Sequence, residues 1–457
     1  MNGFLVSRFT WRSATLVMCE GLLIAGAIAA VLHVRLGVPV WHSADAGPLV
    51  GRLLLMTLIC QACLYYRDLY EFRLLATRAE LIPRVLQSTA ASAVVFAALS
   101  IFAPSLVIGD GVFGASAVPV VVCVIAWRLT FDWLSRRIPA RERVLLLGGG
   151  GAALELAREL NGRTEGAIEV VGFVAADGEP GVESLGTIED IPAIVRGRNV
   201  DRVVVNLADA RGKLPMDKLL EMKLDGVRFD HLASMYEQYT GRIAVEHLRP
   251  SWLIFSEGFR KTRLLRMAKR LVDIAGAALA LALAAPVMAV VACMVRLTSR
   301  GPVLYRQRRV GQDGRVFTVR KFRSMRPDAE AATGAVWAGE NDDRVTSIGR
   351  FLRRSHLDEL PQLWNILVGD MSLVGPRPER PEFVKDLTKA IPFYGQRHIV
   401  RPGLTGWAQV RYSYGASVED SMQKLQYDLF YIKHMSVALD AYIVFRTIKN
   451  VLQGRGV

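Results

Sequence analysis

Apolar residues in this chain are gathered into long runs. Four of them, at about 14–34, 48–66, 85–108 and 112–134, are each near the roughly twenty residues that a helix needs to cross a bilayer. Arg52 and Arg128 fall inside the second and fourth. From about residue 140 the pattern shortens. ERVLLLGGGGAALELAREL reads as an apolar strand, a glycine turn and a helix, while VVGFV (170–174) and DRVVVNL (201–207) read as further buried strands with helical stretches between them. Strands and helices in alternation predict a parallel sheet. A fifth apolar run, Leu271 to Leu297, is again long enough to span and has Pro286 near its middle. The pattern predicts three regions: a four-helix transmembrane bundle over 1–138, a cytoplasmic α/β domain over 139–250, and a third region over 251–457. The fold class is therefore a membrane protein, mixed α and α/β.

Charge orients these elements. Arginines crowd before the first run (Arg8, Arg12), between the second and third (Arg67, Arg73, Arg78, Arg84) and after the fourth (Arg136, Arg137, Arg141, Arg143), and none stands between the third and fourth. Cationic loops stay in the cytoplasm, so both ends of the bundle are expected there. A leader peptide is the competing reading of the first run, but no small-residue cleavage site follows it. The fifth run has Arg263, Arg266, Lys269 and Arg270 on one side and Arg296, Arg300, Arg306, Arg308 and Arg309 on the other. Both of its ends favour the cytoplasm, and Pro286 removes one helical hydrogen bond, so the expectation is a re-entrant helix over about 271–297 that dips in and turns back.

Composition agrees with a membrane location: 457 residues suggest about three domains, and 51% hydrophobic content is high for a soluble enzyme. A net charge of +14 points to anionic partners. With membrane segments present, lipid headgroups and anionic substrates are favoured over nucleic acid. Nine basic residues and one acid, Asp313, lie between Arg300 and Arg326. Within that stretch RKFRSM alternates cations with apolar residues, which would put Lys321 and Arg323 on one face of an extended chain, suited to phosphate. The five cysteines all sit in apolar runs and read as packing residues. Cys60 and Cys63 have a CxxC spacing but no companion pair. Glu20, inside the first run, is expected to face the bundle interior in a packing hydrogen bond.

The α/β region is Rossmann-like. Gly148, Gly150 and Ala153 fit a G-x-G-x-x-A turn that aims backbone N–H groups at a phosphate, and Asp177 follows the next strand where a ribose-binding acid would lie. Such turns also arise simply because strand and helix pack closely, so a nucleotide at Gly148, Gly150 and Asp177 is one of two readings.

The densest chemistry lies in RRSHLDELPQLWNILVGDMSLVGPRPERPEF, Arg353 to Phe383. It sets the adjacent acids Asp358 and Glu359 among Arg353, Arg354 and Arg377. A carboxylate that attacks a diphosphate needs fixed cations around nucleophile and phosphates. Ser355-His356-Leu357-Asp358 also matches a capping box, in which Asp358 would only close a helix N-terminus, but Pro361 would then fall past the first turn and clash.

KRLVDI (269–274), YRQRRVGQDG (305–314), RKFRSM (320–325), DDRVTSIGRFLRRSHLDELPQLWN (342–365), GDMSLVGPRPE (369–379) and RPGLTGWAQV (401–410) resemble, in order, the bacterial sugar transferases. These are the polyprenyl-phosphate hexose-1-phosphate transferases that begin exopolysaccharide and O-antigen assembly. The resemblance covers Lys269 to Val457 and implies that the third region is a mostly helical catalytic domain holding the same re-entrant hairpin. It implies Asp358 as nucleophile, Glu359 as a catalytic partner and ligand of Mg2+, and Arg353 and Arg377 as phosphate-binding residues, to which the alternating face of Lys321 and Arg323 would add two more. His356 is taken as a neighbour and not a general base. The implied substrates are a UDP-sugar and polyprenyl phosphate, at the bacterial inner membrane. The first two regions are then accessory, serving homodimer formation, nucleotide regulation or docking of later glycosyltransferases, and the residues do not choose among these. Nor do they separate glucose, galactose and N-acetylated sugars. Two rivals are weaker: a nucleotide-sugar dehydratase or epimerase would need a Y-x-x-x-K pair, which is absent, and a non-catalytic assembly scaffold would not need to retain the acids and arginines.

Overall fold

The computed structural model describes residues 11–36, 46–67, 69–70, 78–108, 111–137, 142–149, 151–161, 168–174, 184–205, 216–245, 256, 258–259, 261–326, 329, 343–412, 415 and 417–453. They form two compact units, Met1–Thr240 and Gly241–Val457.

In the first unit the four apolar runs become helices α1 (Trp11–Leu36), α2 (Ala46–Tyr66), α3 (Arg78–Phe102) and α4 (Val112–Arg137). The third leaves the helix after Phe102, at a short 3-10 turn Pro104–Leu106, because a proline disfavours helix in the residue before it. All four helices contribute to one apolar cluster, including Ile28, Met56, Phe96 and Val124. Their outward residues, such as Leu22, Val94 and Val122, are apolar too and exposed. Helices apolar all round are the kind that lipid surrounds. Glu20 is fully buried, and Arg128 donates to it through Nε (2.7 Å) and Nη2 (2.9 Å) while its Nη1 bonds the Leu69 carbonyl. The charge inside the fourth run is thus the partner of the charge inside the first.

The α/β part of this unit is a four-stranded, all-parallel sheet in the order β2-β1-β3-β4: β1 Glu142–Leu147, β2 Ile168–Val174, β3 Arg202–Val205 and β4 Arg228–His231. Helices α5 (Gly151–Asn161), α6 (Ile191–Gly197), α7 (Met216–Leu224) and α8 (Leu232–Thr240) connect and flank the strands. Leu145, Leu147, Val203 and Val205 bury against Val195, Leu219 and Met222.

The second unit is built on α9 (Arg263–Thr298), a single 36-residue helix capped by the Thr262 hydroxyl. It continues through Pro286, which omits one hydrogen bond without ending the element. Both halves pack on the same body: Ala277 buries with Leu363, Ile366 and Val319, and Val291 and Val295 bury with Leu352 and Phe322. Its other face, with Leu271, Leu279, Leu283 and Val290, is exposed. Around it stand the hairpin β5 (Leu304–Val310) and β6 (Val316–Phe322), helices α10 (Ser347–Arg354) and α11 (Gln362–Val368), the parallel pair β7 (Ser372–Val374) and β8 (Gly403–Thr405), and helices α12 (Pro381–Ala390), α13 (Trp407–Arg411), α14 (Val418–His434) and α15 (Val437–Leu452). Residues 241–245, expected with the α/β domain, pack in this second unit. Trp407 Nε1 donates to the Gly241 carbonyl and Ile243 N to the Gln426 carbonyl.

The described part of the chain is therefore mostly helical, with a small parallel sheet and five helices long and apolar enough to cross a membrane.

Candidate active site

The acid pair lies where α10 ends. Gly349 makes this possible: a Cβ there would overlap the Ser324 carbonyl, so only glycine lets α10 sit directly on the chain leaving β6. The Thr346 hydroxyl caps α10 and its amide bonds the same carbonyl at 3.0 Å. After Arg354 the chain reverses through His356, a left-handed residue (φ 57°), into a 3-10 turn Leu357–Glu359, and Pro361 stands just before α11. No capping box forms. The Ser355 hydroxyl donates back to the Phe351 carbonyl, and the proline is accommodated because a new helix starts after it.

Lys321 reaches the site from β6, opposite Tyr305, and Arg377 reaches it from the loop after β7. Both donate to one oxygen, Glu359 Oε1, at 2.8 Å from Lys321 Nζ and 2.6 Å from Arg377 Nη2. Burial pushes the Glu359 carboxyl up, but Arg377 and Lys321 outweigh it and hold the group well below the usual carboxylate range. Burial also lowers the Lys321 ammonium, and Glu359 offsets part of that shift. Asp358 differs from its neighbour. Only 7% exposed, it has no hydrogen bond to any described residue. Burial raises its carboxyl and the Glu359 charge adds to the shift, while Lys321, Arg353 and Arg377 pull it back only in part. One acid is thus locked between cations and the other is left desolvated and unengaged, the separation that a nucleophile needs.

Arg353 Nε donates to Ser324 Oγ at 3.1 Å and lies close enough to act on Asp358. Arg323 lines the same cavity as Lys321 but is held by a different contact. It follows the last residue of β6, where strand alternation no longer applies, and its Nη2 bonds the carbonyl and hydroxyl of Ser299 at the end of α9. These residues line one cavity of about 1750 Å³, along with His356, Arg309, Glu379 and Arg397. Arg309 and Arg397 were not singled out in the sequence. Alternation along β5, which puts Arg309 on the same side as Tyr305 and Gln307, was the signal available for the first.

Among the described residues no three His, Cys, Asp or Glu cluster as a metal cage. Magnesium needs no such cage, since it takes one or two carboxylates and completes its shell with water and phosphate oxygens. Glu359 Oε2 and both Asp358 oxygens accept no hydrogen bond from described residues, and hard oxygens at that spot suit the ion.

In the first unit, Gly148 ends β1 with φ +91° and its amide donates to the Val174 carbonyl. β1 lies between β2 and β3, so the sheet's switch point is here, the usual place for a ligand in such sheets. Gly150 and Asp177 lie outside the described residues.

The bacterial sugar transferase family matches over residues 264–454, and a CoA-binding domain over 66–215. The chain is similar to the UDP-glucose:undecaprenyl-phosphate glucose-1-phosphate transferase of Escherichia coli K12, with 33% identity over 74% of this chain and 73% of that protein. It is 43% identical to the UDP-N-acetylgalactosamine-undecaprenyl-phosphate N-acetylgalactosaminephosphotransferase of Aeromonas hydrophila, where the match covers 50% of this chain and only 52% of the relative's length. The exopolysaccharide production protein PSS of Rhizobium leguminosarum is 40% identical over 41% of this chain, and that stretch is 97% of the relative.

Proposed function

Because the chain belongs to the bacterial sugar transferase family, we propose that it transfers a sugar 1-phosphate from a UDP-sugar to polyprenyl phosphate and releases UMP. The observation that carries this reading is the asymmetric acid pair, with Asp358 buried and unengaged beside a Glu359 held by Lys321 and Arg377. An Asp358 oxygen attacks the phosphorus next to the sugar, the bond to the UMP oxygen breaks, and a phosphosugar remains on the carboxylate. An oxygen of polyprenyl phosphate then attacks that phosphorus, the carboxylate leaves, and the product is polyprenyl-diphosphate-sugar. Lys321, Arg353 and Arg377 face charge that peaks between these states. Glu359 would help hold Mg2+, which would supply further charge neutralisation on the diphosphate.

The relatives' names divide between glucose and N-acetylgalactosamine, so the donor is tested as a panel. UMP release is expected from at least one of UDP-glucose, UDP-galactose and their N-acetylated forms, with net transfer only when polyprenyl phosphate is present. No UMP from any of them would defeat the reading.

The proposal includes a topology. The N-terminal helices form a transmembrane bundle, α9 is re-entrant, and the catalytic unit is on the cytoplasmic face of the inner membrane. Support comes from the packing of α9. A spanning helix would separate Ala277 from Val295 across the bilayer, yet both bury against β6, through Val319 and Phe322. Cysteines introduced at the exposed positions Leu264 and Pro302, with the native five replaced, are expected to resist an impermeant thiol reagent in intact cells and to label after permeabilisation. Labelling at 302 alone in intact cells would mean that α9 crosses.

A further inference from the structure

Arg377 is the most exposed of the three groups that meet at Glu359, with 43% of its side chain accessible, and it is anchored there by one hydrogen bond. Its precision must come from its backbone. The loop that carries it, Pro376-Arg377-Pro378-Glu379, has two prolines and so few amide donors of its own. All four of its carbonyls are nevertheless held from outside. Gly403 N donates to Pro376 O at 2.9 Å, Arg397 Nη2 to Arg377 O at 3.0 Å, Arg309 Nη1 to Pro378 O at 2.9 Å and Val310 N to Glu379 O at 2.9 Å.

The two arginines in that set have no nitrogen to spare. Arg397, 5% exposed, gives Nε and Nη2 to Asp428 Oδ2 (3.1 and 2.8 Å) and Nη1 to the Tyr394 hydroxyl (2.6 Å), besides its bond to the loop. Asp428 is itself 1% exposed. Arg309 gives Nε and Nη2 to Gln307 Oε1 (2.9 and 2.6 Å), and its Nη1 also reaches Glu379 Oε2 at 3.4 Å. A guanidinium that grips phosphate needs a free fork of donors. These two forks are committed to protein acceptors, although both line the cavity.

We propose that Arg309 and Arg397 are positioning residues: they clamp the Arg377 loop by its carbonyls from two sides, and so keep the Arg377 guanidinium on Glu359 without touching either substrate. The inference rests on the reading of the site given above. It explains why a buried arginine and a half-buried one lie beside a cationic site that has no electrostatic need of them. Small displacements of a charged group at a transfer site are costly, since about 1 Å of misplacement can lower a rate by about 10²-fold.

The test combines kinetics with hydrogen exchange on the full-length protein. In Arg397→Gln, turnover measured as UMP release is expected to fall by about 10- to 100-fold, and amide exchange in a peptide covering 372–380 to rise while the rest of 241–457 is unchanged. In an Arg377→Ala background the same substitution is expected to cost nothing more, because its whole effect passes through Arg377. A full further loss in that background, or unchanged exchange at 372–380, would overturn the clamp. If Arg397→Gln loosens the whole unit, because Asp428 is left buried and unpaired, Arg309→Gln at the more accessible arm decides the question by the same two readouts. Exchange needs no substrate, so a wild-type protein that released no UMP from any donor would defeat the functional reading while the clamp was still judged on its own.

Discussion

Asp358→Asn is expected to abolish UMP release, lowering turnover by roughly 10³- to 10⁶-fold, the range seen when a covalent nucleophile is removed. Asparagine has nearly the shape of aspartate, and Asp358 makes no hydrogen bond with a described residue, so the fold has nothing to lose. The substitution even removes a buried charge that has no direct partner, and thermal stability should be unchanged or slightly higher. That combination separates chemistry from structure. Inactive and fully folded is the predicted outcome, whereas near-normal UMP release would eliminate Asp358 as nucleophile.

Glu359→Gln is expected to act differently. Two cations, Lys321 and Arg377, share one oxygen of Glu359, and the amide leaves both without that counter-charge in the wall of the cavity. Arg377 and Lys321 then repel each other and any incoming Mg2+, and one hard oxygen is lost. Turnover should fall, and the Mg2+ concentration needed for half-maximal UMP release should rise by about 10- to 100-fold. A Mg2+ titration superimposable on wild type, with full turnover, would remove Glu359 from its role. Loss of turnover with an unchanged titration would leave it only as the anchor of Arg377.

Much of this site was legible in the sequence because its chemistry is local. Asp358, Glu359 and Arg377 lie within twenty residues of one another, and Lys321 sits in an alternating stretch whose strand character is plain. The failures are where legibility depends on where an element ends or on contacts far apart in the chain. Arg323 lines the same cavity as Lys321, but β6 stops at Phe322, and the contact of Arg323 Nη2 with Ser299 does not follow from alternation. Arg397 and Asp428 are 31 positions apart, and neither belongs to a pattern that announces a pair. The fold shows the same division. The apolar runs and the parallel strands follow from periodicity, whereas β4, RFDH, is half-exposed and carries no apolar run to mark it.

The bond between Glu20 and Arg128 spans 108 positions, and this separation bears on how the protein is made. In the topology proposed above, a ribosome delivers α1 to the membrane long before α4 exists. In lipid a lone charged side chain costs about 2.5–3.5 kcal/mol on the scale set by cellular insertion, so α1 enters with a handicap that pairing with Arg128 of α4 relieves. Until then, insertion of the first helix is provisional. Completion of α4 converts two unfavourable residents into a matched pair and adds Val112, Val120 and Val124 to the apolar cluster, so the pair favours joint over separate assembly of α1 and α4. A chain truncated before Arg128 leaves the Glu20 carboxylate of its first helix without that partner, and its N-terminal helices are expected to assemble less stably than those of the full chain.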